Sequence, residues 1–130
     1  MAYQLFIHAD AKKDLAELQL KDRRAAALIV AMLEEIEGDQ RLLDALTVHD
    51  FGDDGNEKFH VSKWLEMWNK GLDLWRIRIW ALDRIAPYRV VYAYERGKQR
   101  YHVLGVFHRD FNYDPADARV KRVKDAYEQL

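Results

Sequence analysis

The sequence predicts an α+β fold: a small, mostly antiparallel four-stranded sheet, two N-terminal helices packed on one face, an inserted helical segment and a C-terminal helix. Three observations predict it. Apolar side chains recur at helical spacing over residues 23–37, alternating and β-rich runs fill residues 72–108, and helical spacing returns at residues 115–130. A chain of 130 residues built this way is expected to form one domain.

The elements follow in order. Tyr3 to His8 is a short run of aromatic and β-branched residues, read as a strand, and Asp10 is placed to cap a helix over about 11–19 that carries Leu15 and Leu18 on one face. Asp22 caps a second helix running to about Glu37, with Leu28, Ile29, Met32, Leu33 and Ile36 as its apolar stripe and Gly38 as its stop. In residues 39–57, Leu42, Leu43 and Leu46 allow a further turn or two of helix, and Gly52 to Asn56 is turn chemistry without the carboxylate spacing of a calcium loop. Trp64, Leu65 and Trp68 then predict a short helix ended by Gly71. Residues 72–81 alternate, with Trp75, Ile77, Ile79 and Ala81 on one face and Leu74, Arg76, Arg78 and Trp80 on the other. Asp83 to Pro87 form a connection, Tyr88 to Glu95 a second β run, Arg96-Gly97 a tight turn and residues 98–108 a third run. Pro115 behind Asp114 is expected to start the last helix, whose stripe is Ala116, Val120, Val123, Tyr127 and Leu130.

Composition excludes several classes. There is no cysteine, so disulfide scaffolds and cysteine-type zinc sites fall away. No apolar run reaches the ~18 residues of a membrane span, and a basic-then-apolar leader is missing, so the expectation is a soluble, cytoplasmic protein without a membrane partner. The net charge of −1 hides an uneven distribution: residues 1–55 carry 12 acidic and 6 basic side chains, whereas residues 56–109 carry 5 acidic and 11 basic ones. That middle segment also holds all four tryptophans and most of the aromatic residues. A basic, aromatic surface of this kind attracts phosphate whatever the total charge. Equally, long Arg and Lys stems can cover apolar strands while their heads stay in water.

The chemistry concentrates in Trp75-Arg76-Ile77-Arg78, Tyr88-Arg89-Val90-Val91-Tyr92 and Phe107-His108-Arg109-Asp110-Phe111-Asn112-Tyr113. Adjacent antiparallel strands bring such segments within one or two spacings of ~4.8 Å. Guanidinium groups on neighbouring strands make a fork matched to phosphate and to a pentacovalent phosphoryl transition state, the requirement for RNA cleavage by attack of the 2′-hydroxyl. His108 is the first candidate for acid or base, and Tyr113 the second, as proton donor or stacking platform. Structural readings stand beside these. Arg89 can pair with Glu95 or the sheet edge, His108 can be a hydrogen-bonded histidine at a strand end, and Trp64, Trp68, Trp75 and Trp80 can be core. His8, His49, His60 and His102 show no ligand spacing, and neither a Gly-rich phosphate loop nor a serine nucleophile motif occurs.

Leu74-Trp75-Arg76-Ile77-Arg78, Tyr88-Arg89-Val90-Val91-Tyr92 and Val103-Leu104-Gly105-Val106-Phe107-His108-Arg109 followed by Tyr113, together with Ala11-Lys12-Lys13-Asp14-Leu15 at a helix start, resemble the RelE/ParE toxin superfamily of type II toxin–antitoxin modules, especially its RelE and HigB branches. The resemblance implies a small antiparallel sheet with two helices on one face and metal-independent cleavage of mRNA on the ribosome. It implies that Arg76 and Arg78 contact the scissile phosphate, that Arg89 matches the family's phosphate-binding arginine and Arg109 the arginine at the end of its last strand, that His108 belongs to its His-Arg pairing, and that Tyr113 stacks on the substrate base. It further implies a cognate antitoxin, mRNA and the ribosome as partners, DNA contact only through a toxin–antitoxin complex, and no metal or other cofactor. Two alternatives are a ParE-like gyrase-inhibiting toxin and a non-catalytic RelE-fold interaction protein. The chain departs from the family in its insertion at 39–70, in its final helix, and in arginines where a lysine base is usual.

Overall fold

The computed structural model describes residues 3–111, 114 and 116–130. The order is β1 (Gln4–Ile7), α1 (Ala9–Lys21), α2 (Arg23–Glu37), α3 (Gln40–Ala45), β2 (Phe59–Lys63), α4 (Leu65–Asn69), β3 (Leu74–Ile79), α5 (Trp80–Asp83), β4 (Tyr88–Glu95), β5 (Arg100–His108), a 3₁₀ turn at Arg109–Phe111 and α6 (Ala118–Glu128).

Side-chain caps set the starts of α1, α2, α3 and α6. Asp22 Oδ1 accepts from the Ala25 N–H at 3.1 Å, as expected, but α1 is capped by His8, whose Nδ1 accepts from the Asp10 N–H at 3.1 Å, so Asp10 lies inside the helix. A cap stabilises by about 1 kcal/mol. Burial of a large aliphatic side chain contributes about 1.5–3 kcal/mol, and α2 buries Ile29, Met32, Leu33 and Ile36. Packing therefore holds α2, and the cap places its first turn. The last helix begins later than expected. Its cap is Asp117, which accepts from the Arg119 N–H at 2.8 Å; Asp114 instead accepts from the Ala116 N–H at 2.9 Å in the preceding turn, and Pro115 lies outside the described residues.

The sheet has five strands in the order β1-β5-β4-β3-β2, not four, and it is mixed: β1 runs parallel to β5 and the other pairs are antiparallel. The added strand β2 lies in the segment read as turn and helix. Its Phe59 and Val61 are buried in the core, with His60 and Ser62 pointing the other way, a period of two too short to stand out. At the far end of β3, Trp80 leaves the sheet and opens α5, so the strand stops at Ile79 and Ala81 is helical.

Both faces of the sheet are used. Leu18 of α1 and Ile29 and Ile36 of α2 pack on Phe59, Trp75, Ile77, Val90, Tyr92, Tyr101 and Val103. On the opposite face α6 lays Val120, Val123 and Ala126 over Leu74, Val91, Ala93 and Leu104, joined by Trp64 and Met67 of the insertion and by Phe111. Leaving only one face covered would expose these apolar residues to water. The β4–β5 register shifts between Val91 and Tyr92: Tyr92 pairs with Val103 and Val91 with Gly105, which leaves Leu104 as an extra residue. Before this bulge Tyr101 and Val103 face α1 and α2; after it Val106 does. Gly105 is required there, because a Cβ would overlap the Phe107 ring that folds back over it.

Candidate functional site

The face carrying α6 changes character along its length. On β3 the outward residues run Leu74, Arg76, Arg78, and on β4 they run Ala93, Val91, Arg89; α6 covers the apolar end and the arginines lie beyond it. Missing β2 at the sequence level hid the residues that complete this end. His60 pairs with Arg78 and Ser62 with Arg76 across β2–β3, while Arg89 pairs with Phe107 across β4–β5. Arg78 and Arg89 face one another one step beyond the registered pair Ile77–Val90, so two like charges meet on adjacent strands.

Asp83 resolves that repulsion. Its Oδ2 accepts from Arg78 Nε, and its Oδ1 accepts from Arg89 Nη1 at 2.7 Å. The Arg89 side chain is only 11% exposed and that of Asp83 13%, whereas Arg78 is 42% exposed, so the fork has a closed prong and a wet one. Arg89 Nη1 also donates to the Tyr88 carbonyl at 3.2 Å. The pairing expected for a structural Arg89, with Glu95, does not form: Glu95 instead meets His102 at 3.0 Å, a contact that lowers its pKa. No sequence signal beyond its spacing from Arg78 and Arg89 marks Asp83, because the triad depends on the β3–β4 register.

Aromatic groups flank the wet prong. The Arg78 guanidinium lies 4.6 Å from the centre of the Trp80 ring, which stacks with His60 at 5.9 Å and an interplanar angle of 2°. Trp80 is fixed by its Nε1, which donates to the Gly52 carbonyl at 3.1 Å, and by its backbone N–H, which donates to the Lys58 carbonyl at 3.1 Å. Gly52 has φ +78, and a Cβ there would overlap the Phe59 carbonyl oxygen, so the insertion closes on the sheet only through glycine. His60 Nε2 meets Asp50 Oδ1 at 3.0 Å, which lowers the pKa of Asp50. Arg76 Nε donates to Ser62 Oγ at 2.6 Å.

Of the remaining candidates, His108 sits elsewhere. His108 pairs with Tyr88, and the two rings meet edge-on at 5.4 Å on the face that carries α1. There they line an open cleft of about 630 Å³ with Asp14, Glu17, Lys21 and Asp110. The bulge puts His108 there: strict alternation from Val103 would turn it toward the arginines. His108 Nδ1 accepts from the Asp110 N–H at 3.1 Å, so in the neutral ring Nε2 carries the proton. Arg119 donates to Asp110 Oδ1 at 3.0 Å and lowers that carboxyl's pKa. Arg109 is exposed, and its N–H donates to the Pro87 carbonyl at 2.8 Å. Tyr113 lies outside the described residues. The structure thus brings Arg76, Arg78 and Arg89 together and sets His108 on the opposite face.

Among the described residues no group of three or more His, Asp or Glu side chains is placed to hold a metal ion, and no helix is long and apolar enough to cross a membrane. Comparison with protein-family models, with curated proteins and with solved structures finds no match to this chain.

Proposed function

We propose that the protein is the toxin of a type II toxin–antitoxin module, a ribosome-associated mRNA endoribonuclease that works without a metal ion and binds the scissile phosphate on its arginine-bearing sheet face. One observation carries the reading: Arg78 and Arg89, on adjacent strands, close on a single oxyanion, the Asp83 carboxylate. A fork that holds a carboxylate this way is shaped for two oxygens of a phosphate and for the added charge of a pentacovalent intermediate. The resemblance assigns phosphate contacts to these two residues and to Arg76. The 2′-hydroxyl attacks phosphorus, the P–O5′ bond breaks, the hydroxyl proton passes to a base and the 5′-oxygen takes one from an acid. Held on the α1 face, His108 serves that proton transfer only for RNA that wraps around the end of β5. The cognate antitoxin supplies an acidic segment that competes for the arginines, and DNA is met only within the toxin–antitoxin complex.

The separation of His108 from the fork favours a second reading, a RelE-fold protein that binds without cutting, whether as an interaction module or as a ParE-like inhibitor of gyrase. Expression in a bacterial host separates the readings. Growth arrest with transcript cleavage, relieved by Arg89→Ala, supports the endoribonuclease. Arrest with intact transcripts and blocked supercoiling by purified protein points to gyrase, and unimpaired growth leaves the binding module.

A further inference from the structure

Asp83 is bound where the proposed function puts substrate. Its carboxylate is mostly buried, spans two arginines of neighbouring strands, and comes from the last residue of a four-residue helix rather than from the sheet. The backbone of that helix is anchored on both sides: Leu82 is fully buried, Trp80 is pinned to Gly52 and Lys58, and the N–H groups of Ile85 and Ala86 donate to the Leu82 carbonyl at 2.9 and 2.8 Å. An aspartate has only two side-chain torsions, so its carboxylate can leave the fork by rotation while the helix stays in place. Arg78, stacked on Trp80 and the more exposed of the two, opens the path.

We infer that Asp83 is a tethered stand-in for phosphate, a carboxylate that occupies the Arg78–Arg89 fork in the free protein and must rotate out before a phosphate group can enter. This rests on the reading of the fork as a phosphate site and adds its regulation. Two arginines and one aspartate leave a single net positive charge. A phosphate group offers more oxygens and, as a monoester, more charge than the carboxylate it displaces, whereas chloride or a lone carboxylate gains little. The tether sets a threshold: weak anions are refused and a polyanion that also reaches Arg76 is admitted.

The test is calorimetric titration of inorganic phosphate into the whole protein, wild type against Asp83→Asn and Arg89→Lys. Asp83→Asn is expected to bind about tenfold tighter, the size of one lost charge-assisted competitor, and Arg89→Lys to bind weaker than wild type. A second measurement needs no variant: in wild type, phosphate is expected to shift the Nε–H NMR signals of Arg78 and Arg89 together. Equal affinity of wild type and Asp83→Asn overturns the inference. So does a wild-type titration in which only exposed arginines such as Arg109 respond, and this arm decides alone if Asp83→Asn does not fold. Tighter phosphate binding by Asp83→Asn without RNA cleavage by any form sinks the endoribonuclease reading and keeps the gate; cleavage with unchanged phosphate affinity does the reverse.

Discussion

The two ends of the sheet face under α6 share β3 and β4 and have opposite characters. At one end Leu74, Ala93 and Leu104 meet Val120, Val123 and Ala126 in a dry contact; at the other Arg76, Arg78 and Arg89 meet Ser62, Asp83 and the Trp80 ring. Two residues along β3, from Leu74 to Arg76, separate them. Period-two alternation decides which face a side chain takes, and the length of the covering helix decides whether that face becomes core or site.

The largest effect should come from the dry end. Leu74 is fully buried, and Leu74→Ala is expected to cost about 3–5 kcal/mol in denaturant unfolding; a loss below about 1 kcal/mol would mean that α6 packs only loosely. At the wet end Arg89→Ala strands the mostly buried Asp83 with one partner and is expected to cost about 2–4 kcal/mol. Measured beside Asp83→Asn and the double variant, it should show strong coupling, and additivity would break the triad. Gly105→Ala lies between the two ends. Its methyl group collides with the Phe107 ring, for an expected loss of about 1–3 kcal/mol. The smallest effect is acid dependence at the start of α6. Hydrogen bonds from Arg119 hold Asp117 down to about 2, so its folded pKa lies below the unfolded value of about 4. That contribution is complete above pH ~4 and fades as the pH falls through about 2. Solvent screening keeps it small, and NMR signals of the first turn of α6 should broaden over this window before those of α2 do.

Strong periodicity made much of the fold readable. The capped helix from Asp22 and the strand from Tyr88 to Glu95 appear with the bounds expected of them, because six buried side chains in α2 and a run of β-branched and aromatic residues in β4 each favour one state. β2 stayed hidden because five residues carry too few periods and Trp64, Leu65 and Trp68 suggested helix next to it. The site was readable in its arginines and not in its acid. Asp83 looks like a turn residue in the chain, and only the facing of Arg78 and Arg89 gives it two partners. Strict alternation from Val103 would put His108 on their face, and no local pattern in Val103-Leu104-Gly105-Val106 declares the extra residue that prevents it.

That extra residue gives the bulge a genetic meaning. Losing Leu104 by deletion of a single codon would restore strict pairing yet leave Val106, Phe107 and His108 on the faces they have, because their pairs with Val90, Arg89 and Tyr88 do not include the extra residue. A change of one codon in length, with no substitution at any site residue, thus removes a fully buried leucine from the contact under α6 and leaves the arginines and the imidazole on their separate faces.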